Sequence, residues 1–165
     1  MSTNSPSIIS LIRAAEVKLK MLDDRVNKLH SQVRKKLEFL DDINANGLNI
    51  PSVELTSRVE LTSRVDEAKR ILETAYKLIL KIQAEQRKAR NILKKGDKQE
   101  IIEKEKEIEK SVNYSLGEIE RHFNVVNKKI SRIKAFIKDE IAFNNQTSSR
   151  MTSIRTSNHP PCVVS

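Results

Sequence analysis

The sequence predicts an all-α protein: three long helices forming an antiparallel three-helix bundle or coiled coil, followed by a disordered C-terminal tail. Two features of the pattern and one of the composition predict it. Apolar residues recur through three long segments in steps that alternate four and three, the spacing of a coiled-coil seam. Both breaks between those segments carry glycine. Of the 165 residues, 4% are aromatic and 32% charged, with no Trp, 3 Gly and 4 Pro. That profile suits the slender Leu, Ile, Val and Ala core of long helices better than a sheet-rich globule.

The first helix is predicted over residues 7–44, behind a disordered N-terminus at 1–6. Ser5 suits an N-cap and Pro6 the first helical position. The seam runs Ile8, Ile12, Ala15, Leu19, Leu22, Val26, Leu29, Val33, then Lys36, then Leu40 and Ile43. Lys36 interrupts it, either setting register or laying its stem over the core edge.

Asn44 to Pro51 is a break, with Gly47 free to adopt the left-handed conformation that ends a helix and Pro51 suited to a new start. The second helix is predicted over 52–95, with the seam Leu61, Val65, Ala68, Leu72, Ala75, Ile79, Ile82, Gln86, Ala89, Leu93. Residues 53–58 and 59–64 are both Val-Glu-Leu-Thr-Ser-Arg. Six residues at about 3.6 per turn rotate the face by about 120°, so the two copies cannot present the same side. The seam, traced back from Leu93, ends at Leu61 in the second copy, and continuing it would put Arg58 in the core. The first copy therefore reads as a tandem duplication absorbed near the loop.

Lys94-Lys95-Gly96-Asp97 is the second break: lysines at a helix C-terminus, glycine after it, then Asp97 and Glu100 spaced as a capping box. The third helix is predicted over 98–143. Its seam runs Ile102, Glu105, Glu109, Val112, Leu116, Ile119, Phe123, Val126, Ile130, Ile133 and Ile137. Two glutamates weaken its first third, where Ile101 and Ile108 offer a rotated alternative. Charge favours a hairpin at Gly96, because folding back brings Arg90 near Glu103 and Arg87 near Glu105. Each such exposed pair contributes only about 0.2–1 kcal/mol, but the set favours antiparallel pairing over one rod. With about 40 residues per helix at 1.5 Å each, the bundle comes to about 60 Å. A homo-oligomeric coiled coil built on the same seams is the competing architecture.

Residues 145–165 have a polar Ser, Thr and Asn composition without apolar period and read as a flexible tail. The tail ends Cys162-Val163-Val164-Ser165, which matches the C-a-a-X prenylation box with a terminal Ser that favours farnesyl. The chemistry requires this order: the Cys162 thiolate attacks the prenyl diphosphate, Val163 and Val164 fill an apolar groove of the prenyltransferase, and Ser165 presents the free carboxylate. Such a box arises by chance at on the order of one in a few thousand C-termini, and Cys162 is the single cysteine of the chain. One lipid gives marginal, reversible membrane binding, so a second signal is expected. Lys128, Lys129, Arg132, Lys134, Lys138, Arg150 and Arg155 are candidate contacts to anionic lipid, with Arg34, Lys35 and Lys36 at the same end of the bundle.

The net charge of +9 points to acidic partners, although a solvated helix surface accounts for much of it. The N-terminus shows neither a signal peptide nor a myristoylation site, and no run approaches the length of a membrane span. Asn113-Tyr114-Ser115 and Asn145-Gln146-Thr147 match the glycosylation acceptor pattern, which is silent in a cytosolic protein. There is no phosphate-binding loop, metal-ligand spacing or nucleophile elbow. His30, His122 and His159 read as surface or rim residues. The expectation is a protein that is not an enzyme, has no cofactor, binds protein partners through helical surfaces, and sits in the cytoplasm on the cytosolic face of a membrane. A soluble oligomeric scaffold without lipid is the alternative. Nucleic-acid binding ranks below both, for want of aromatic stacking residues among the basic ones. Gln86, in an otherwise apolar seam, resembles the central glutamine of membrane-fusion SNARE helices. That resemblance implies a role in helix assembly at membranes and rests on this one residue.

Overall fold

A computed structural model describes residues 7–46 and 55–157. Three helices fill them: α1 (Ile8–Asn46), α2 (Leu55–Lys95) and α3 (Lys98–Ser157). They pack against one another as a three-helix bundle. The order is up, down, up, so α1 and α3 run in the same direction. α3 lies along α2, α1 packs on α2, and α1 approaches α3 closely over only a short stretch.

The seams account for the core. Val65, Ala68, Leu72, Ala75, Ile79 and Ile82 of α2 have no exposed surface. They meet Val26, Val33 and Leu40 of α1 and Val112, Ile119, Phe123, Val126 and Ile133 of α3 in one continuous apolar cluster. Each fully buried Val, Leu or Ile contributes roughly 1.5–3 kcal/mol over its exposed state. A core spread along about 40 residues per helix therefore holds a bundle only a few side chains thick.

α1 begins at Ile8 and is capped by Ser7, whose Oγ accepts from the amide of Ser10 at 3.2 Å while its carbonyl accepts from Leu11 at 3.0 Å. The cap is therefore two residues later than the predicted Ser5; Ser5, Pro6, Gly47 and Pro51 lie outside the described residues. At the α2–α3 turn Gly96 has φ 69°, and its amide donates to the Leu93 carbonyl at 3.2 Å. Asp97 Oδ1 accepts from the amides of Gln99 at 3.1 Å and Glu100 at 3.4 Å, so it caps α3 as expected. The other half of the capping box does not form, because the Glu100 carboxylate turns to Lys95 at 3.9 Å instead.

Three expectations are corrected. Ile102 is 45% exposed while Ile101 is 2% exposed, so the start of α3 turns its alternative face inward. Ile101, Ile108, Val112, Ser115 and Ile119 then continue the alternation, and Ser115 is buried. The cross-hairpin pairs are also different. Arg90 bonds Asp23 at 2.5 Å and Glu105 bonds Lys18 at 2.9 Å, both on α1, because a third helix competes for charges that a two-helix hairpin would pair. Finally, α3 continues as helix to Ser157, past the predicted end at Phe143. No Gly or Pro lies between Gly117 and Pro160, so nothing local stops it.

Candidate functional site

Lys36 is half-buried, with its ammonium 5.2 Å from the centre of the Phe123 ring. Its stem covers the core edge, and desolvation lowers its pKa from the ordinary value. Gln86 is 3% exposed and donates from Nε2 to Asp23 Oδ1 at 2.6 Å. The same carboxylate accepts from Arg90 through its other oxygen, so one acidic residue of α1 joins two residues of α2. His30 lies 3.1 Å from the Gln83 amide and edge-on to Tyr76, at the rim of the α1–α2 contact. His122 bonds the Glu118 carbonyl of its own helix at 2.6 Å. His159 is outside the described residues.

The basic residues predicted to face lipid divide into two groups. Lys129 and Arg132 lie beside Glu60, Arg64 and Glu67 of α2, and Lys129 pairs with Glu67 at 2.8 Å. That bond and its charge hold the Glu67 carboxyl below its usual range. Lys134 and Lys138 lie on the other side with Phe39, Ile43 and Ile137. The Lys134 ammonium sits 4.9 Å from the Phe39 ring centre. Lys128, Arg34 and Lys35 are exposed. Arg150 and Arg155 fall on α3. Cys162, Val163, Val164 and Ser165 lie outside the described residues.

One opening in the bundle is lined by none of the predicted site residues. Between the first half of α1 and the start of α3 is an apolar groove of about 330 Å³. Ala15, Leu19 and Leu22 form its α1 wall, Ile101, Ile108, Val112 and Leu116 its α3 wall, and Ala89 and Leu93 of α2 its floor. Small side chains contribute to the gap: Ala15 on α1 and Ala89 on α2 do not fill the volume that Leu or Ile would occupy at those positions. The mouth is charged, with Lys18 and Arg25 on α1 and Glu105 and Glu109 on α3. Lys18 bridges to Glu105 at 2.9 Å. That hydrogen bond, the Glu105 charge and then the Glu109 charge raise the Lys18 pKa against its partial desolvation. Two glutamates and two alanines at seam positions were the sequence signal for this opening.

Among the described residues no helix is long and apolar enough to cross a membrane, and no group of His, Cys, Asp and Glu could hold a metal ion. The fold and groove together define a three-helix bundle with one open seam. No protein-family model matches the chain, and no curated protein or solved structure matches it either.

Proposed function

We infer that this chain is a membrane-tethered helical interaction protein, an adaptor whose open α1–α3 seam receives a partner helix. The observation that carries the reading is that seam: an apolar trough with charged lips, of the kind an amphipathic helix fills with residues at i, i+3, i+4 and i+7. The tether rests on Cys162-Val163-Val164-Ser165. Where Ser165 is the terminal residue, a cytosolic prenyltransferase would join farnesyl to the Cys162 sulfur, displacing diphosphate from the prenyl donor. The basic residues of α3 then supply the second, electrostatic signal that one lipid needs. Lys128, Arg132, Lys134 and Lys138 are exposed, although the Lys134 ammonium lies over the Phe39 ring; Lys129 is engaged with Glu67.

The test is the intact mass of the protein from a eukaryotic host beside a Cys162→Ser control, with fractionation of both. A farnesyl mass gain and membrane recovery that the control lacks support the tether. An unmodified mass in a host with active transferase overturns it. The chain then reads as a soluble coiled-coil scaffold, which the unbroken α2 seam also suits.

A further inference from the structure

We propose that the occupant of the α1–α3 groove is a second copy of this chain, docked about a twofold axis parallel to the helices. The inference rests on the open seam of the preceding reading and not on its lipid.

The groove is bipolar. Its α1 lip carries Lys18 and Arg25, and its α3 lip carries Glu105 and Glu109. A surface with one basic and one acidic lip complements itself in one of the two face-to-face twofold arrangements. With the axis across the groove, α1 would cover α1 and α3 would cover α3, and like charges would meet. With the axis along the groove, α1 of each copy covers α3 of the other, and basic lip meets acidic lip. That second arrangement keeps all helices in their original directions and at their original levels.

The levels match. The Lys18–Glu105 bond and the Lys36–Phe123 contact fix the alignment of α1 with α3. Arg25 then stands within one turn, about 4.5 Å along the axis, of the level of Glu109. Both are exposed, and Arg25 has no ion-pair partner among the described residues. Glu105 is already engaged by Lys18 within the chain, so Arg25 to Glu109 is the pair left to form between copies. Apolar surface follows the same logic. Met21 is 67% exposed on the α1 lip at the level of Ile108, and Ile102 is 45% exposed on α3. Helical rotation of about 100° per residue places Ile102 roughly 20° from Glu109. The flexible Met21 side chain is suited to an irregular trough, and in the dimer it would enter the groove of the other copy.

A parallel dimer carries both α3 C-terminal ends at one end of the assembly. Two prenyl groups would then reach one membrane together, converting marginal into stable attachment.

The test uses the full 165-residue chain, produced without prenyltransferase, and sedimentation equilibrium at micromolar concentration. The expected mass is twice the 18.9 kDa of one chain. Arg25→Glu and Glu109→Arg should each sediment as monomers with helicity unchanged, since both side chains are exposed. Mixing them should restore a dimer. The glutamate introduced at position 25 of one variant then faces the arginine introduced at position 109 of the other, and the unaltered Arg25 and Glu109 face each other. Spin labels on Cys162 of the wild type should show dipolar coupling within that dimer. A monomeric wild type, charge variants that stay dimeric, or a mixture that stays monomeric each overturns the proposal. A dimer without label coupling overturns the parallel arrangement. None of these results depends on whether Cys162 is prenylated, so failure here is distinct from failure of the tether.

Discussion

Asp23 of α1 and Gln86 of α2 are joined by a 2.6 Å hydrogen bond from an amide that is almost wholly buried. Gln86 occupies a seam position otherwise held by aliphatic residues, so its amide would be desolvated without return if α1 slid by a turn. The bond therefore fixes the register of α1 on α2. Asp23→Ala removes the acceptor and leaves a buried amide unsatisfied, a cost of about 1–3 kcal/mol. Arg90, the second partner of Asp23, is largely exposed, so its loss adds little. Adding Gln86→Leu to Asp23→Ala should recover most of the loss, because the amide is then gone too. Urea unfolding followed by circular dichroism measures both. Equal stability of Asp23→Ala and wild type would show that water satisfies the amide.

The two described glycines should respond to alanine in opposite directions. Gly117 lies inside α3 without positive φ, and a Cβ there would meet nothing within 4 Å. Gly117→Ala removes backbone freedom from the unfolded chain and should stabilise by about 0.5–1 kcal/mol. Gly96 has φ +69°, where an L side chain is strained, so Gly96→Ala should destabilise by about 1 kcal/mol. The melting temperatures of the two variants, taken side by side, check both signs.

Most of the core was legible in the sequence because a seam is a one-dimensional signal. Every predicted α2 seam residue from Leu61 to Leu93 is buried or half-buried, and the Gly96 turn falls where the lysine, glycine and aspartate pattern puts it. Ile101 and Ile102 were harder. Adjacent isoleucines differ by one step of rotation, and two seam glutamates made both faces plausible. Partners of surface charges were not legible at all. Arg90 and Glu105 could reach several oppositely charged residues, and only the placement of α1 selects Asp23 and Lys18. The groove escaped for a related reason: Ala15 and Ala89 satisfy an apolar pattern, and the pattern does not encode the volume they leave unfilled.

The hexamer repeat gives a prediction about length. α2 starts at Leu55, inside the first copy, and among the residues whose burial is described its first buried core residue is Leu61. Deleting residues 53–58 leaves one complete Val-Glu-Leu-Thr-Ser-Arg copy ahead of Val65 and an intact seam. The loss is limited to about one helical turn beside the loop. The melting temperature should move by no more than a few degrees, roughly the effect of 1 kcal/mol in a domain of this size. A loss of many degrees would mean that the first copy is part of the core.

Lys36 links the seam to pH. Desolvation lowers its pKa in the folded state from 10.5, so around that range the unfolded chain binds its proton more tightly than the folded one does. Stability then rises with pH between the lowered value and 10.5, and the full cost of burying the ammonium is present below that window. Lys36→Met removes the charge while keeping an unbranched stem. It loses the ammonium–ring contact with Phe123, worth about 0.5–1 kcal/mol at an exposed site, but buries a side chain with no charge to desolvate. The variant should be more stable than wild type near neutral pH, by up to about 1 kcal/mol. Other lysines titrate in both proteins, so the informative quantity is the difference between them. That difference should shrink as pH climbs towards 10.5, because wild type sheds the penalty and the variant never had it. A difference that stays constant from pH 7 to 10.5 would mean that the Lys36 ammonium is hydrated in the folded protein, and that its stem alone covers Phe123.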